Sequence, residues 1–378
     1  MYRNYSSSLF LAILSLIGIG LVQVYSSSFI FAIESYGDGL YFFKRQLMWS
    51  VAAVVVLFVT ASVPFDYIKK FGWVCWLGAA IGVGMTYIPG LGIRVGGALR
   101  WIQMPLGIRI EPAEILKISF SLLFASILVR EQNYLSRIKI PWLIAMIILP
   151  LVLLLKQPDF GSFAIIMMVG VGLLFAFGLQ WKYIAVSVAA LIPAFYFLVM
   201  SVPYRRARVM AFLDPWSDPA QKGFQVIQSM LSFHTGGLTG AGLGQGQGKL
   251  FFLPEAHTDF TLAVFGEEMG FIGFVVLMAL YGFVVFRGIQ ISMRTEDPFR
   301  RALAVGLSLT FGLNVFINSG VVMGMLPTKG LTLPFLSYGG SSLVALCFLF
   351  GILLNIENSL DMDRFITRFE RIKNHRGM

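Results

Sequence analysis

Long apolar runs alternate with short polar segments along nearly the whole chain. Ten of these runs are long enough to cross about 30 Å of hydrocarbon as helices. They lie near residues 9–30, 46–64, 71–89, 112–130, 140–156, 160–178, 181–201, 260–287, 300–326 and 337–357. The pattern predicts an all-α, polytopic integral membrane protein with about ten transmembrane helices, and an even number of crossings predicts both termini on one side.

The composition agrees with lipid as the main solvent. Of the 378 residues, 57% are hydrophobic and 13% are charged, whereas soluble domains carry about 25% charge. With 35 Phe and only 19 acidic residues, so much apolar surface is too costly to expose to water. Soluble enzymes, disordered proteins and nucleic-acid-binding proteins are therefore excluded.

The basic residues predict the orientation. The net charge is +10, and basic side chains cluster in residues 358–378, a tail that suits the anionic inner leaflet of a membrane. Loops on the same side as this tail carry more Arg and Lys than the short loops opposite. The positive-inside rule then places both termini in the cytoplasm.

Two outer segments keep several Arg although the orientation rule disfavours them: residues 92–114 and residues 202–259. The second is a large extracytoplasmic loop between the seventh and eighth spans. Within it, KGFQVIQSMLSF predicts a short helix on the outer membrane surface. The apolar stripe of this helix is predicted to be Phe224, Ile227, Met230 and Leu231.

Ionisable groups inside spans are candidates for function because they are expensive to bury in lipid. Glu111, Glu114 and Lys117 lie mostly on one face near the outer end of the fourth predicted span. One interpretation is a structural ion pair between Glu114 and Lys117. The other is a polar substrate pocket, which the nearby Arg residues favour.

The stretch LPEAHTDF brings Glu255, His257 and Asp259 to the outer mouth of the eighth span. Asp259 suits an N-cap as well as it suits catalysis, and the two roles can coexist. His257 has no second His or Cys at ligand spacing, so no metal site is predicted. Two turns deeper, Glu267 and Glu268 face either a hydrated crevice or a partner helix.

Three further segments carry candidate chemistry. The Gly-rich run that ends at Lys249 fits no phosphate-loop pattern, and is either a flexible linker or a loop whose bare N–H groups approach an anion. Lys156 and Asp159 lie at the outer interface between two spans. Residues 318–342 interrupt apolar sequence with prolines, glycines and Lys329, which membrane proteins tolerate only beside protein or a wet cavity.

Taken together, GALRWIQ, EPAEILK, QPDFGS, LPEAHTDF, GLGQGQGK and LPTKGLTLPF resemble the SEDS family of shape, elongation, division and sporulation proteins. The likeness covers essentially the whole chain as a single transmembrane domain. It is closer to the division branch of the family than to the elongation branch.

The resemblance implies a peptidoglycan glycosyltransferase of the bacterial cytoplasmic (inner) membrane that polymerises lipid II into glycan strands. The acidic residue of the family's HTDF motif is catalytic and corresponds to Asp259, which we expect to act as a general base. A lipid pyrophosphate leaving group needs charge stabilisation more than a proton. The expected substrate-binding residues are Arg100, Arg109, Glu114, Lys117, Lys156, Asp159, Arg205, Lys249, His257, Lys329 and Ser337.

The resemblance also implies partners and leaves two alternatives. The expected partners are a class B penicillin-binding transpeptidase and other division or elongation membrane proteins. A divalent cation such as Mg²⁺ or Mn²⁺ is expected to assist by bridging pyrophosphate oxygens, and no organic cofactor is expected. The alternatives are a lipid II flippase, suggested by the intramembrane carboxylates, and a non-catalytic scaffold for division enzymes.

Overall fold

A computed structural model describes residues 8–95, 98–131, 140–178, 180–183, 185–186, 189, 193, 196–219, 223–249, 253–328 and 330–376. Helices dominate these residues. The α-helices are α1 (Ser8–Tyr36), α2 (Tyr41–Ser62), α3 (Phe65–Met85), α4 (Pro112–Glu131), α5 (Ile140–Lys156), α6 (Phe160–Ala176), α7 (Pro203–Leu213), α8 (Phe224–Gly236), α9 (Thr261–Arg294), α10 (Pro298–Val322) and α11 (Gly340–Arg376).

Six of these helices are long and apolar enough to cross a membrane: α1, α2, α4, α9, α10 and α11. The apolar helices within α5 and α6 are shorter, and α3 overlaps the third predicted run, 71–89, but begins and ends several residues earlier. Much of the seventh run, 181–201, lies outside the described residues. A mostly helical architecture with several helices able to span a membrane is therefore confirmed, whereas the total of ten crossings and the position of the large outer loop stay predictions.

Several helix boundaries differ from those predicted, and two of the differences bear on the outer segments and the tail. The ninth predicted span ends at Val322 rather than near residue 326, because Gly324 has a φ of 71° that continues no right-handed helix. The last helix starts at Gly340 and continues to Arg376, so the residues predicted to form a basic tail extend the last span as a helix.

The helices pack through small residues, which allow the close approach that membrane bundles use. α11 packs along α2, where a Cβ at Gly351 would lie 2.6 Å from the Cβ of Thr60. α4 meets α10 beside Gly306, where a Cβ would lie 2.9 Å from the Cβ of Ser121. A larger residue at either glycine would force the helices apart.

A small antiparallel sheet, which the sequence analysis did not predict, caps one end of α3 and α4. Its strands are β1 (Gly92–Val95), β2 (Ala98–Gln103) and β3 (Arg109–Ile110), in the order β1-β2-β3. Along β2, Ala98 and Ile102 are buried and Arg100 is half-buried, at an irregularity in the pairing with β1 where the register skips Arg100. The sheet therefore positions Arg100, which lies outside every span.

The helix predicted from KGFQVIQSMLSF is present as α8, and its position on a membrane surface stays a prediction. Within its apolar stripe, Ile227 is buried in the protein, whereas Met230 and Leu231 are exposed. Small residues make the contact instead: Gly236 packs against the backbone of α9, and the Ser229 hydroxyl donates to the Val322 carbonyl at 2.5 Å. An apolar stripe locates such a helix but cannot reveal a contact made by Ser and Gly.

Helix α9 is broken at Gly270, where φ is 66° and ψ is −169°. The Gly-rich run pairs with the freed backbone: the N–H of Phe271 donates to Gly237 O at 2.9 Å, and the N–H of Ala241 donates to Glu267 O at 2.9 Å. Gly240 lies so close to the Glu268 carbonyl that no side chain would fit. This part of the run is therefore packed structure rather than a free linker.

Candidate active site

Asp259 lies in a tight turn immediately before α9. The N–H groups of Thr258 and Phe260 both donate to Glu255 O, at 3.1 and 3.2 Å. The N-cap position of α9 is Phe260, and no side chain caps this helix. The capping role that Asp259 could have had is therefore absent, and among the described residues no group donates a hydrogen bond to its half-buried carboxylate.

Arg100 reaches the same place from β2. Its Nη1 donates to Gly330 O at 2.9 Å, its Nη2 donates to Pro158 O at 3.2 Å, and Nη2 lies 3.8 Å from Oδ1 of Asp159. A Cβ added to Gly330 would lie 2.5 Å from Nη1 of Arg100 and 3.4 Å from Oδ2 of Asp259. The guanidinium and the carboxylate therefore flank one bare glycine.

A second cation approaches from α7, where Nη1 of Arg208 donates to Thr328 O at 3.1 Å. Burial raises the pKa of Asp259 to about 7, and the negative charge of Glu255 adds to the rise, while Arg100 and Arg208 oppose it. A carboxyl group with this pKa exchanges its proton near neutral pH, as a general base must.

Asp159 and Glu111 form the acidic side of the site. Asp159 is buried and caps α6 by accepting from the N–H of Ser162 at 3.3 Å. Burial raises the pKa of Glu111 to about 8, with the charges of Glu114 and Asp159 adding to the effect and those of Arg100 and Lys117 opposing it.

Glu114 and Lys117 form the buried ion pair considered from the sequence. Nζ of Lys117 lies 2.8 Å from Oε1 of Glu114 and donates to Oδ1 of Asn314 at 3.1 Å. Because Asn314 belongs to α10, the pair joins α4 to α10. A structural role is present, and a role in substrate binding stays a prediction.

Replacing Lys117 with Met is expected to lower the free energy of unfolding by about 3–5 kcal/mol, because the Glu114 carboxylate is left buried and uncompensated. Thermal unfolding of the detergent-solubilised protein measures this. The matched control is the double variant Glu114→Gln/Lys117→Met, which should recover more than half of the loss. Equal stability of the single variant and the original chain would contradict the pairing.

Three predicted binding residues have partners of their own. Lys249 is buried, with Nζ 2.8 Å from Oε1 of Glu268 and 3.2 Å from the Ser26 hydroxyl. The imidazole of His257 packs against aromatic rings of α1 and α2, and burial lowers its pKa. The Ser337 hydroxyl accepts from the N–H of Leu333 at 2.9 Å and closes a turn. The structure does not bring these three side chains together with the carboxylate of Asp259.

The adjacent acidic pair of α9 faces partners within the protein. Glu268 accepts from the Ser26 hydroxyl of α1, and Glu267 accepts from the N–H groups of Gln247 and Gly248 at 2.7 and 3.0 Å. The bare N–H groups of the Gly-rich run therefore do bind an anion, which is the chain's own carboxylate.

The other predicted cations are dispersed. Arg205 donates from Nη2 to Leu155 O at 2.8 Å and lies over the ring of Phe160, and burial lowers its pKa. Arg109 and Lys156 are exposed, at β3 and at the end of α5. Lys329 lies outside the described residues, between the described Thr328 and Gly330.

Three residues of the site were not predicted from the sequence: Arg208, Asn318 and Gly330. Arg208 was counted only among the outer charges, and Gly330 only as one of several glycines. Asn318 offered a usable signal, because a carboxamide within an apolar span needs a partner.

A divalent cation fits this donor set only together with a substrate. In the described part of the chain, no group of three or more His, Cys, Asp or Glu side chains could hold a metal ion. Mg²⁺ is commonly bound through one or two carboxylates plus substrate phosphates, and the neighbouring acids Asp259 and Glu255 match that pattern.

Replacing Gly330 with Ala is expected to reduce activity at least tenfold without unfolding the protein. The new methyl group would displace the Arg100 guanidinium from beside Asp259, and small displacements in such sites are costly. Turnover per folded molecule measures the effect. Gly282, where a Cβ would meet open space, provides the Gly→Ala control, and equal activity of the two variants would contradict the geometry.

Comparisons with known proteins agree on one family. Residues 7–362 match the FtsW/RodA/SpoVE family, described as cell cycle protein. The probable peptidoglycan glycosyltransferase FtsW of Geobacter metallireducens is 42% identical over 361 residues, covering 95% of this chain and 96% of the relative. The protein of the same description from Thioalkalivibrio sulfidiphilus is 40% identical over 356 residues, covering 92% and 88%.

Solved structures share the fold. A chain from work on the structural coordination of polymerization and crosslinking by a peptidoglycan synthase complex aligns with a TM-score of 0.76 at 26% identity, covering 95% of this chain and 99% of that one. The rod shape determining protein RodA of Thermus thermophilus aligns with a TM-score of 0.67 at 24% identity, covering 94% and 97%.

Proposed function

The chain belongs to the FtsW/RodA/SpoVE family, and from that premise we propose that it is a peptidoglycan glycosyltransferase that polymerises lipid II at the outer face of the cytoplasmic membrane. The observation that carries this proposal is the carboxylate of Asp259, which lies beside Arg100 and Arg208 at the bare Cα of Gly330. The names of the relatives, FtsW glycosyltransferases, support the same reaction.

Asp259 is the general base of the proposed reaction. The 4-hydroxyl of the acceptor GlcNAc must lose its proton as it attacks the anomeric carbon of the donor, and a carboxylate with a pKa of about 7 accepts that proton efficiently near neutral pH. No described donor occupies this carboxylate, so its oxygens are free to accept the acceptor hydroxyl.

Arg100 and Arg208 supply the positive charge that the departing lipid pyrophosphate requires. Both guanidinium groups are held by backbone carbonyl oxygens, Gly330 O and Pro158 O for Arg100 and Thr328 O for Arg208. Cations fixed in this way stabilise developing charge without reorganising during the reaction. A bound divalent cation would add charge neutralisation at the pyrophosphate oxygens.

The membrane setting is part of the same proposal and rests on the distribution of basic residues. We propose ten spans with both termini in the cytoplasm, so that Asp259 and the sheet face the outside and the polyprenyl chain lies between helices. The partner is proposed to be a class B penicillin-binding transpeptidase, in line with the likeness to a chain of a peptidoglycan synthase complex.

The purified protein, in complex with its transpeptidase partner, is expected to convert lipid II into glycan chains in the presence of Mg²⁺. Gel separation of labelled product measures polymer yield and length. Translocation of lipid II across vesicles without any polymer would favour the flippase alternative. Normal division of cells that carry Asp259→Ala, with loss of the whole protein lethal, would favour the scaffold.

The pH dependence of kcat/KM is expected to show an acidic limb near pH 7. Asp259 must be deprotonated to act as a base, so activity rises with pH through its pKa and is lost below it. Glu255→Gln removes a negative charge that raises this pKa and should move the limb to lower pH. Exposed Glu296, in the α9–α10 connection, provides the Glu→Gln control, and an unmoved limb in Glu255→Gln would contradict the assignment.

A further inference from the structure

Asn318 connects the catalytic turn to the segment that flanks it. The residue lies on α10, is 2% exposed, and donates from Nδ2 to the main-chain oxygen of Asp259 at 3.0 Å and to that of Leu331 at 2.5 Å. A carboxamide nitrogen carries two hydrogens, and each has a carbonyl acceptor here. One side chain thus ties together two segments that are far apart in sequence.

The segment that contains Gly330 and Leu331 is fixed from three sides. Arg100 of β2 donates to Gly330 O, Asn318 donates to Leu331 O, and the side chain of Leu331 packs against Gly161 of α6, where a Cβ would lie 2.9 Å from Cγ of Leu331. Consecutive carbonyl groups are therefore held by separate elements, and Gly330 becomes a fixed wall of the site.

We infer that Asn318 is a positioning residue for polymerisation, which sets the distance between the Asp259 carboxylate and the Arg100 guanidinium across Gly330. This inference rests on the proposed function. Among the described residues no donor holds the Asp259 carboxylate, so the backbone of the turn sets the position of this carboxylate. Asn318 binds that backbone and also binds Leu331 O. Arg100 binds the neighbouring Gly330 O, so both groups are fixed to the same segment.

Loss of the carboxamide affects turnover more than binding. Asn318→Leu removes both donors at similar volume, leaves the main-chain oxygens of Asp259 and Leu331 without them, and lets the catalytic turn move relative to Gly330. A displacement of about 1 Å at a reacting group can cost roughly 100-fold in rate. We expect kcat to fall about 10- to 100-fold, while KM for lipid II stays within about threefold because Arg100 and Arg208 remain.

A purely structural asparagine provides the control. Asn355 of α11 is also buried, and its Nδ2 donates to Thr60 O, Ala61 O and Val63 O at the end of α2. It lies 15 residues after Gly340 on the same helix, roughly 22 Å along its axis, at the end of the bundle away from Asp259. Asn355→Leu should lower the melting temperature comparably and leave kcat per folded molecule unchanged.

The test compares the original chain, Asn318→Leu, Asn318→Ala and Asn355→Leu in the partner complex, with lipid II varied at fixed pH. A loss of kcat of tenfold or more in the Asn318 variants, at nearly constant KM and beyond any change in Asn355→Leu, supports the inference. Activity per folded molecule equal to that of Asn355→Leu overturns it.

Asn318→Ala introduces a smaller side chain than Asn. If Asn318→Leu does not fold, kcat and KM of Asn318→Ala are compared with those of Asn355→Leu in the same way. Failure of both Asn318 variants to fold, while Asn355→Leu folds, overturns the positioning role and assigns Asn318 to the fold. Absence of polymer from the original chain refutes the proposed function itself, so the two failures are distinguishable.

Discussion

Replacing Asp259 with Asn is expected to abolish polymerisation, with a loss of about 1,000-fold in kcat. Asn has the same shape and cannot accept a proton, and general bases contribute about 100- to 10,000-fold to such reactions. The fold should be preserved, because the Asp259 carboxylate caps no helix and its main-chain oxygen keeps the hydrogen bond from Asn318. Initial rates with lipid II, corrected for folded protein, measure the effect.

The matched control is Asp297→Asn, at the start of α10. The Asp297 carboxylate caps that helix by accepting from the N–H of Arg300 at 2.8 Å, and Asn caps helices equally well. Polymerisation should therefore be unchanged. An Asp259→Asn variant that retains more than a tenth of the original kcat would refute the role of this carboxylate as the base.

Replacing Arg100 with Lys is expected to reduce kcat/KM by about 100-fold although the charge is kept. The planar guanidinium donates to Gly330 O and Pro158 O together and lies 3.8 Å from the Asp159 carboxylate. Lys has no planar fork and cannot reproduce this set of contacts. Buried Asp159 would lose its fixed counter-charge, and Gly330 would lose its attachment to the sheet.

Arg94→Lys on β1 is the control for this second variant. Arg94 belongs to the same sheet but is exposed, so its replacement should change kcat/KM by less than about threefold. Unchanged kcat/KM in Arg100→Lys would leave Arg100 with a structural role only. A parallel Arg208→Lys variant tests the second guanidinium group separately, because Arg208 donates to Thr328 O and not to the carbonyl oxygens that hold Arg100.

The sequence was informative wherever a local pattern decides the structure. The length of the apolar runs located most spans, and the likeness of LPEAHTDF to a family motif singled out Asp259. The family match confirms that resemblance, and the relatives named FtsW agree with the division branch. The Glu114–Lys117 pair was also accessible, because residues three apart on a helix are neighbours.

The parts of the fold and the site that the sequence did not predict depend on contacts between segments distant in sequence, and no local pattern reveals such contacts. The three-stranded sheet that carries Arg100 is short and lies among glycines, so its alternation was too brief to recognise. Asn318 bonds the turn at Asp259, 59 residues earlier in the chain, and the Gly-rich run covers a break in α9. Lys249 has the charge expected of a pyrophosphate ligand, yet the fold pairs it with Glu268.

A structure of the partner complex with bound lipid II would give the distances from Asp259 to the two sugars and the diphosphate, which decide whether Asp259 is the base. We expect the acceptor hydroxyl within hydrogen-bond reach of the Asp259 carboxylate, about 3 Å, with the diphosphate against Arg208 and Arg100. A diphosphate bound away from both guanidinium groups, with Asp259 facing lipid chains, would contradict this role of Asp259.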